Sequence, residues 1–202
     1  MKNVRGLIFD LDGTLVDSQL DFDLMRSEME LPPGPILESI AALPPPHAER
    51  CYRILRKHEV AGAERATLLP GVTELLELAR GREIPIGIVT RNSRECSLAV
   101  LLRLQLRYDI LLTRDDGPIK PDPWAVRHIC EIWNIPPCRV VMIGDYQFDV
   151  LSGRGAGART VLLTSPIPPH EYPNHEQADL LLSSLAEHNR LMAWMESIEA
   201  DD

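Results

Sequence analysis

The sequence lacks the features of a membrane-spanning or nucleic-acid-binding chain. No apolar run approaches the roughly 18 residues that a transmembrane helix needs, and the apolar stretch at residues 7–9 is too short for a signal peptide. The 202 residues include 21 Lys and Arg against 30 Asp and Glu, which gives a formal net charge of −9. Because binding a nucleic-acid backbone requires a basic face, we expect no nucleic-acid partner. Because no apolar run is long enough to span a bilayer, we also expect no membrane association.

Cysteine is scarce, and its spacing matches no disulfide or metal framework. The four cysteines stand far apart, form no CxxC pair and have no histidine at metal-ligand spacing: Cys51, Cys96, Cys130 and Cys138. Isolated thiols of this kind are typical of a reducing compartment, so we expect a cytoplasmic protein with reduced cysteines. The chain length suits one domain with a modest insertion, and an apolar fraction of 45% is enough for a buried core.

Short apolar runs alternate with amphipathic segments along most of the chain. The runs predict buried strands at residues 4–9, 84–89, 109–112, 139–143 and 160–163. Helical periodicity predicts helices between them, one opened by a capping box of Asn92 and Glu95 and another capped by Asp122. A last helix is predicted near residues 184–198. This alternation indicates an α/β fold, a Rossmann-like parallel sheet of about five strands with helices on both faces.

Residues 17–69 interrupt this alternation. Proline-rich breaks at residues 32–35 and 44–46 separate helical patches, and no convincing strand is present. We therefore predict a small all-helical cap over residues 17–69, inserted after the first strand of a core formed by residues 1–16 and 70–202. Asp17, Gln19 and Arg26 are candidates to face a substrate. The basic cluster in the cap, namely Arg50, Arg53 and Lys57, is predicted to be a solvated helix face, with recognition of an anionic substrate as the alternative.

Polar residues stand at the carboxyl ends of four predicted strands, which is where open parallel sheets collect their ligands. The residues are, in chain order, Asp10 and Asp12, Thr90 and Arg91, Lys120, and Asp145 and Asp149. The acidic side chains would form a strongly negative pocket that suits a hard cation such as Mg²⁺. Lys120 and the cation would neutralise a phosphate dianion, and Thr90 would hold its oxygens together with backbone N–H groups near Gly13 and Arg91.

The Asp10-x-Asp12 pair is suited to phosphoryl transfer. One carboxylate can attack phosphorus to give an aspartyl-phosphate, and a second can protonate the leaving oxygen and later activate water. Because side chains alternate along a regular strand, the chain must leave the strand near Leu11 for both to face one side, and Gly13 supplies the necessary freedom.

These motifs resemble those of the haloacid dehalogenase-type (HAD) phosphohydrolase superfamily. The first motif, DxDGT, stands at residues 10–14, Thr90 ends a strand, Lys120 precedes a proline, and GDxxxD stands at residues 144–149. The insert is similar to the small helical cap of the subfamily that includes phosphoglycolate phosphatase and β-phosphoglucomutase. The resemblance implies a Mg²⁺-dependent phosphatase acting on a small phosphorylated metabolite.

The resemblance also implies a role for each matching residue. Asp10 would be the nucleophile and a metal ligand, and Asp12 the general acid/base, with its backbone carbonyl on the metal. Thr90 and Lys120 would bind phosphate, whereas Asp145 would bind the metal directly and Asp149 directly or through water. A sugar phosphomutase with the same chemistry and a non-catalytic phosphoacceptor module remain alternatives. The chain is expected to be a monomer or a homodimer.

Overall fold

The computed structural model describes residues 4–164, 169–171 and 173–198. In chain order its strands are β1 (Gly6–Phe9), β2 (Val16–Asp17), β3 (Thr67–Leu68), β4 (Ile86–Val89), β5 (Ile110–Leu112), β6 (Val140–Gly144), β7 (Arg159–Leu163) and β8 (Leu180–Leu182). Six of them form one parallel sheet in the order β5-β4-β1-β6-β7-β8. The predicted α/β class is confirmed, with six strands in the main sheet where about five were expected.

Eight α-helices surround or extend this sheet in the part of the chain that the structure describes. They are α1 (Phe22–Met29), α2 (Ile36–Ala41), α3 (Pro45–Arg65), α4 (Val72–Gly81), α5 (Arg94–Arg103), α6 (Trp124–Trp133), α7 (Gln147–Ala156) and α8 (His188–Ser197). Within the described ranges, no helix combines the length and the apolar character needed to cross a bilayer.

The sheet separates two apolar clusters, as expected for a sheet covered on both faces. Leu7 and Phe9 of β1 belong to a cluster that includes residues of α4, α5 and α8. Ile8, which lies between them, belongs to the cluster that includes α6. Because both faces are covered, every residue of β1, β4 and β6 is buried. This explains why these strands are continuous apolar runs in the sequence.

The sequence prediction missed β8 and misplaced two helix caps. β8 is a three-residue edge strand that is only partly buried, so it has no pattern that distinguishes it from a loop. The N-cap of α5 is Ser93, whose hydroxyl accepts from the Cys96 N–H at 3.4 Å, so the Asn92 capping box is wrong. The N-cap of α6 is Pro123, although the Asp122 carboxylate still accepts from the Trp124 N–H at 2.8 Å.

Helices α1, α2 and α3 lie between β2 and β3 and have an apolar core of their own, formed by Met25, Met29, Ile36, Ile40, Cys51 and Leu55. Prolines begin the second and third of these helices: Pro35 is the N-cap of α2, and Pro44 that of α3, with Pro45 inside its first turn. The expectation of no strand in this segment is wrong, because β2 and β3 pair in antiparallel fashion at its base. We refer to α1, α2 and α3 as the cap.

The outer face of α3 is a solvated surface, as predicted. Arg53 is exposed. Arg50 lies 3.0 Å from Glu30 and Lys57 lies 3.9 Å from Glu28, and both pairs are largely exposed. These cations therefore interact with acidic groups of the cap itself and with water.

A buried ion pair joins the cap to the sheet domain. Glu59 of α3 is 3% exposed at its side chain and accepts two hydrogen bonds from Arg114, one of them at 2.9 Å. Burial alone would lower the pKa of Arg114, but hydrogen bonding and the charge of Glu59 outweigh it and raise that pKa. Arg114 also donates to the Arg91 carbonyl at 3.1 Å. The position of α3 is thereby tied to the loop that follows β4.

We expect the buried face of α4 to contribute much more to stability than its outer face. Leu75 is fully buried, whereas Leu78 on the same helix is 36% exposed. Leu75→Ala should lower the free energy of unfolding by about 2 to 5 kcal/mol, because it leaves a cavity, and Leu78→Ala by about 1 kcal/mol or less. Urea titrations with unchanged m-values would measure both, and equal losses would contradict the assigned core.

Removing one partner of the buried ion pair should destabilise the protein more than removing both. Glu59→Leu leaves the Arg114 charge without its partner and should cost about 3 kcal/mol, whereas the double variant with Arg114→Met should recover part of that loss. Urea unfolding of the full double-mutant cycle measures the coupling. Glu95→Gln is the matched control, since Glu95 contacts Arg56 in an exposed pair and should change stability little. A Glu59→Leu loss no larger than that of the control would contradict this account.

Candidate active site

Strands β1, β4 and β6 lie side by side in the centre of the sheet, and their carboxyl ends face the cap. A cavity of about 550 Å³ lies at this edge and is lined by residues of the strand ends and of the cap. The structure brings all seven of the predicted site residues to the cavity or directly beneath it: Asp10, Asp12, Thr90, Arg91, Lys120, Asp145 and Asp149.

Lys120 is the buried cation at this edge. Its side chain is 2% exposed, and its Nζ lies 2.7 Å from Asp10 Oδ1 and 2.6 Å from Asp149 Oδ1. Burial by itself would lower the pKa of Lys120, but the charges of the two carboxylates outweigh it and raise that pKa. Lys120 therefore keeps its charge and orients both acids.

Three carboxylates gather around this ammonium group. Asp10, Asp145 and Asp149 each offer an oxygen, and these oxygens lie within 4.8 Å of one another. Burial, together with the neighbouring negative charges, raises the pKa of Asp145 well above its ordinary value. Burial also raises the pKa of Asp149 to about 6, although Lys120 opposes the shift. A hard cation with oxygen ligands suits such a cluster, because it removes the cost of concentrating the charge.

Two glycines let the backbone approach these carboxylates closely. Gly13 has φ 80, in the left-handed region, and a Cβ atom there would overlap the Asp145 carboxylate. A Cβ atom at Gly144 would overlap the Asp149 side chain. Glycine is therefore required at both positions by the geometry of the cluster.

Asp12 stands apart from the cluster and has its own partners. Strand β1 ends at Phe9, and Gly13 N–H closes the following turn on the Val16 carbonyl at 2.8 Å. The Ser18 hydroxyl donates to Asp12 Oδ1, and the Asn92 amide donates to Oδ2. Burial raises the pKa of Asp12 to about 6, with smaller contributions from the charges of Asp10 and Glu59, while these two hydrogen bonds oppose the rise.

Thr90 and Arg91 take part in local contacts at the end of β4. Thr90 is buried, and its hydroxyl accepts from the Asn92 N–H at 3.1 Å. The Arg91 guanidinium donates to the Lys120 carbonyl at 2.5 Å and to Glu38 of the cap at 2.6 Å, and it lies 4.6 Å from the centre of the Phe148 ring. The Arg91 side chain thus links the cap to the sheet domain, and phosphate binding by these two residues stays a prediction.

Three cap-side candidates, Asp17, Gln19 and Arg26, line the cavity as expected. Sequence reasoning overlooked Glu59 and Arg114, which also line it. Both had a signal. Glu59 continues the buried stripe of α3 one turn after Leu55, where an acidic residue is unexpected. Arg114 follows β5 by two residues, at the same edge of the sheet as the other site residues.

Comparison with known proteins agrees with this geometry. Residues 4–157 match the family model described as haloacid dehalogenase-like hydrolase. A haloacid dehalogenase-like hydrolase domain-containing protein of Arabidopsis thaliana is 31% identical, in an alignment that covers 94% of this chain and 84% of that protein. A phosphoglycolate phosphatase of Chromobacterium violaceum is 29% identical over 95% of this chain and 98% of that enzyme.

The fold is also found among solved structures. The crystal structure of a predicted phosphoglycolate phosphatase from Haemophilus somnus superposes with a TM-score of 0.77, covering 95% of this chain and 99% of the other, at 20% sequence identity. The resemblance suggested by the four motifs is therefore confirmed. The chain belongs to the haloacid dehalogenase-like hydrolase family and is an enzyme of the phosphatase type.

Proposed function

We propose that this enzyme is a Mg²⁺-dependent phosphatase that hydrolyses a small phosphomonoester through an aspartyl-phosphate on Asp10. One observation carries the proposal. The carboxylate of Asp10 lies against Lys120 within the acidic cluster, while a second carboxyl group, Asp12, is held separately by Ser18 and Asn92. A nucleophile beside a cation and an independent acid/base are the two groups that such a reaction requires.

The proposed metal ligands are the carboxylates of Asp10, Asp145 and Asp149 and the backbone carbonyl of Asp12. The three carboxylates fit a hard cation because their oxygens converge and burial raises the pKa of Asp145 and Asp149. Bound Mg²⁺ would supply positive charge to the phosphoryl oxygens.

Phosphate would be held at the same edge by residues of this chain. The Thr90 hydroxyl and the backbone N–H groups near Gly13 and Arg91 would donate to its oxygens. The Lys120 ammonium contacts Asp10 Oδ1 and would hold this carboxylate in place for attack. Lys120 would also contribute positive charge close to the bound dianion.

The proposed reaction has two steps. In the first, a carboxylate oxygen of Asp10 forms a bond to phosphorus, the bond from phosphorus to the ester oxygen breaks, and the Asp12 carboxyl proton passes to that oxygen. In the second, Asp12 takes a proton from water as the water oxygen attacks phosphorus. The bond between phosphorus and the Asp10 oxygen breaks, inorganic phosphate leaves, and Asp12 is again protonated.

We further propose that the substrate is a small phosphorylated metabolite and that the enzyme acts in the cytoplasm. The similarity to an enzyme named for phosphoglycolate supports a phosphomonoester substrate. The cavity of about 550 Å³ has room for a metabolite of modest size beyond its phosphate group. All four cysteines are free, which agrees with a reducing compartment.

Replacing the nucleophile should abolish turnover without unfolding the protein. Asp10→Asn should lower phosphate release from 4-nitrophenyl phosphate in Mg²⁺ by on the order of 10⁴-fold or more, and EDTA should likewise abolish release by the wild type. Glu77→Gln, the same chemical change on an exposed helix face, is the control and should keep full activity. Circular dichroism would check the fold, and full activity of Asp10→Asn would refute the mechanism.

Replacing Asp12 should slow the hydrolysis of esters with poor leaving groups more than that of esters with good ones. Asp12→Asn cannot protonate the ester oxygen, so kcat/KM for an alkyl phosphate should fall by about 10² to 10⁴-fold. The leaving group of 4-nitrophenyl phosphate departs as a stable phenolate, so kcat/KM for this substrate should fall much less. This parameter reports the steps up to the first irreversible one. Equal losses for both substrates would mean that Asp12 does not act as the acid.

A further inference from the structure

The cap side of the cavity is an apolar wall. Six apolar residues on this side line it, Leu20 just before α1 and five in the cap helices, and we call them the apolar wall: Leu20, Phe22, Met25, Ile36, Leu37 and Leu55. Met25, Ile36 and Leu55 also belong to the cap core, so this core opens directly onto the cavity. Across the cavity lie the polar strand ends that would hold the phosphate. The leaving group, which points away from the phosphate, would therefore lie against the apolar wall.

Each cationic side chain that lines the cavity already has an acidic partner. Among the described lining residues these cations are three arginines. Arg26 lies 2.5 Å from Asp23, Arg91 lies 2.6 Å from Glu38, and Arg114 forms the buried pair with Glu59. Each of the three arginines would therefore have to exchange or share its carboxylate partner to receive a second anionic group of the substrate.

Asp17, on the cap side of the cavity, makes an anionic leaving group still less favourable. Asp17 lines the cavity and is exposed, and its carboxylate accepts a hydrogen bond from the Gln19 backbone N–H at 2.8 Å. The charge of the nearby Glu59 carboxylate is matched by that of Arg114. A substrate carboxylate placed here would lose water and face negative charge without a new ion pair, which is costly.

We propose that this phosphatase selects substrates whose leaving group is uncharged and has an apolar face, against those that carry a second anionic group. The inference rests on the proposed phosphatase function. It identifies Phe22 as a specificity-determining residue, because this side chain lines the cavity and is 51% exposed, so a bound leaving group can cover it. It also predicts that phosphoglycolate, whose leaving group carries a carboxylate, is a poor substrate of this enzyme.

Non-hydrolysable phosphonates test the proposal without turnover. Titration calorimetry of the wild type in Mg²⁺ would compare methylphosphonate, benzylphosphonate and 4-carboxybenzylphosphonate. The benzyl compound should bind at least about tenfold more tightly than the methyl compound, because its ring is buried against the apolar wall. Adding the carboxylate should weaken binding by at least about tenfold.

Matched variants test whether the preference for an apolar group arises at Phe22. Phe22→Gln should reduce the preference for benzylphosphonate over methylphosphonate, whereas Leu24→Gln should not. Leu24 lies on the same helix and is similarly exposed, at 47%, but does not line the cavity. Arg26→Gln should leave the affinity for 4-carboxybenzylphosphonate unchanged, because Arg26 is not expected to receive the carboxylate.

The outcomes separate this inference from the proposed function. The inference would be overturned if 4-carboxybenzylphosphonate bound as tightly as benzylphosphonate or more tightly. The contradiction would be most direct if Arg26→Gln abolished the additional affinity. Hydrolysis of benzyl phosphate is measured in parallel. Phosphonate discrimination without any hydrolysis would count against the proposed function alone, whereas hydrolysis without discrimination would count against this inference alone. Failure of all three phosphonates to bind would contradict both.

Discussion

The concentration of negative charge at the end of the sheet is the constraint on which the rest of the site depends. Asp10, Asp145 and Asp149 converge within 4.8 Å, and a single ammonium group, that of Lys120, offsets part of their charge. Burial, followed by the charges of Asp10 and Asp149, raises the pKa of Asp145 well above its ordinary value. A divalent cation would offset the remaining negative charge, so that a phosphate group could bind at the same edge.

The cap is connected with this charged edge of the sheet in two ways, through ion pairs and through the cavity that it helps to line. Arginines tie it to the sheet domain: Arg114 reaches Glu59, and Arg91 reaches Glu38. At the same time the cap presents an apolar surface to the cavity. Because these arginines are used for holding the cap, they do not supply free charge for a substrate. The arrangement that positions the cap therefore also shapes which leaving groups the cavity favours.

The sequence allowed much of the fold and the main site positions to be predicted, because each depends on a local pattern. Buried strands are unbroken apolar runs, and strand ends in a parallel sheet meet at one edge, so Asp10, Lys120 and Asp145 could be placed together. Contacts between distant segments leave no such pattern. The Asn92 amide reaches Asp12 across 80 positions of the chain, and a capping box was the wrong explanation for it. The short edge strand β8 was also missed, since a run of three residues shows no periodicity.

The central claim is that a phosphoryl group is transferred to the carboxylate of Asp10. Borohydride trapping during turnover with Mg²⁺ and an aryl phosphate tests it most directly, because hydride reduces an aspartyl-phosphate to homoserine but leaves a free carboxylate unchanged. Peptide mass spectrometry should find homoserine at position 10 and nowhere else, dependent on substrate. Phosphate release without any trapped product, or homoserine at position 12, 145 or 149 instead, would contradict the account.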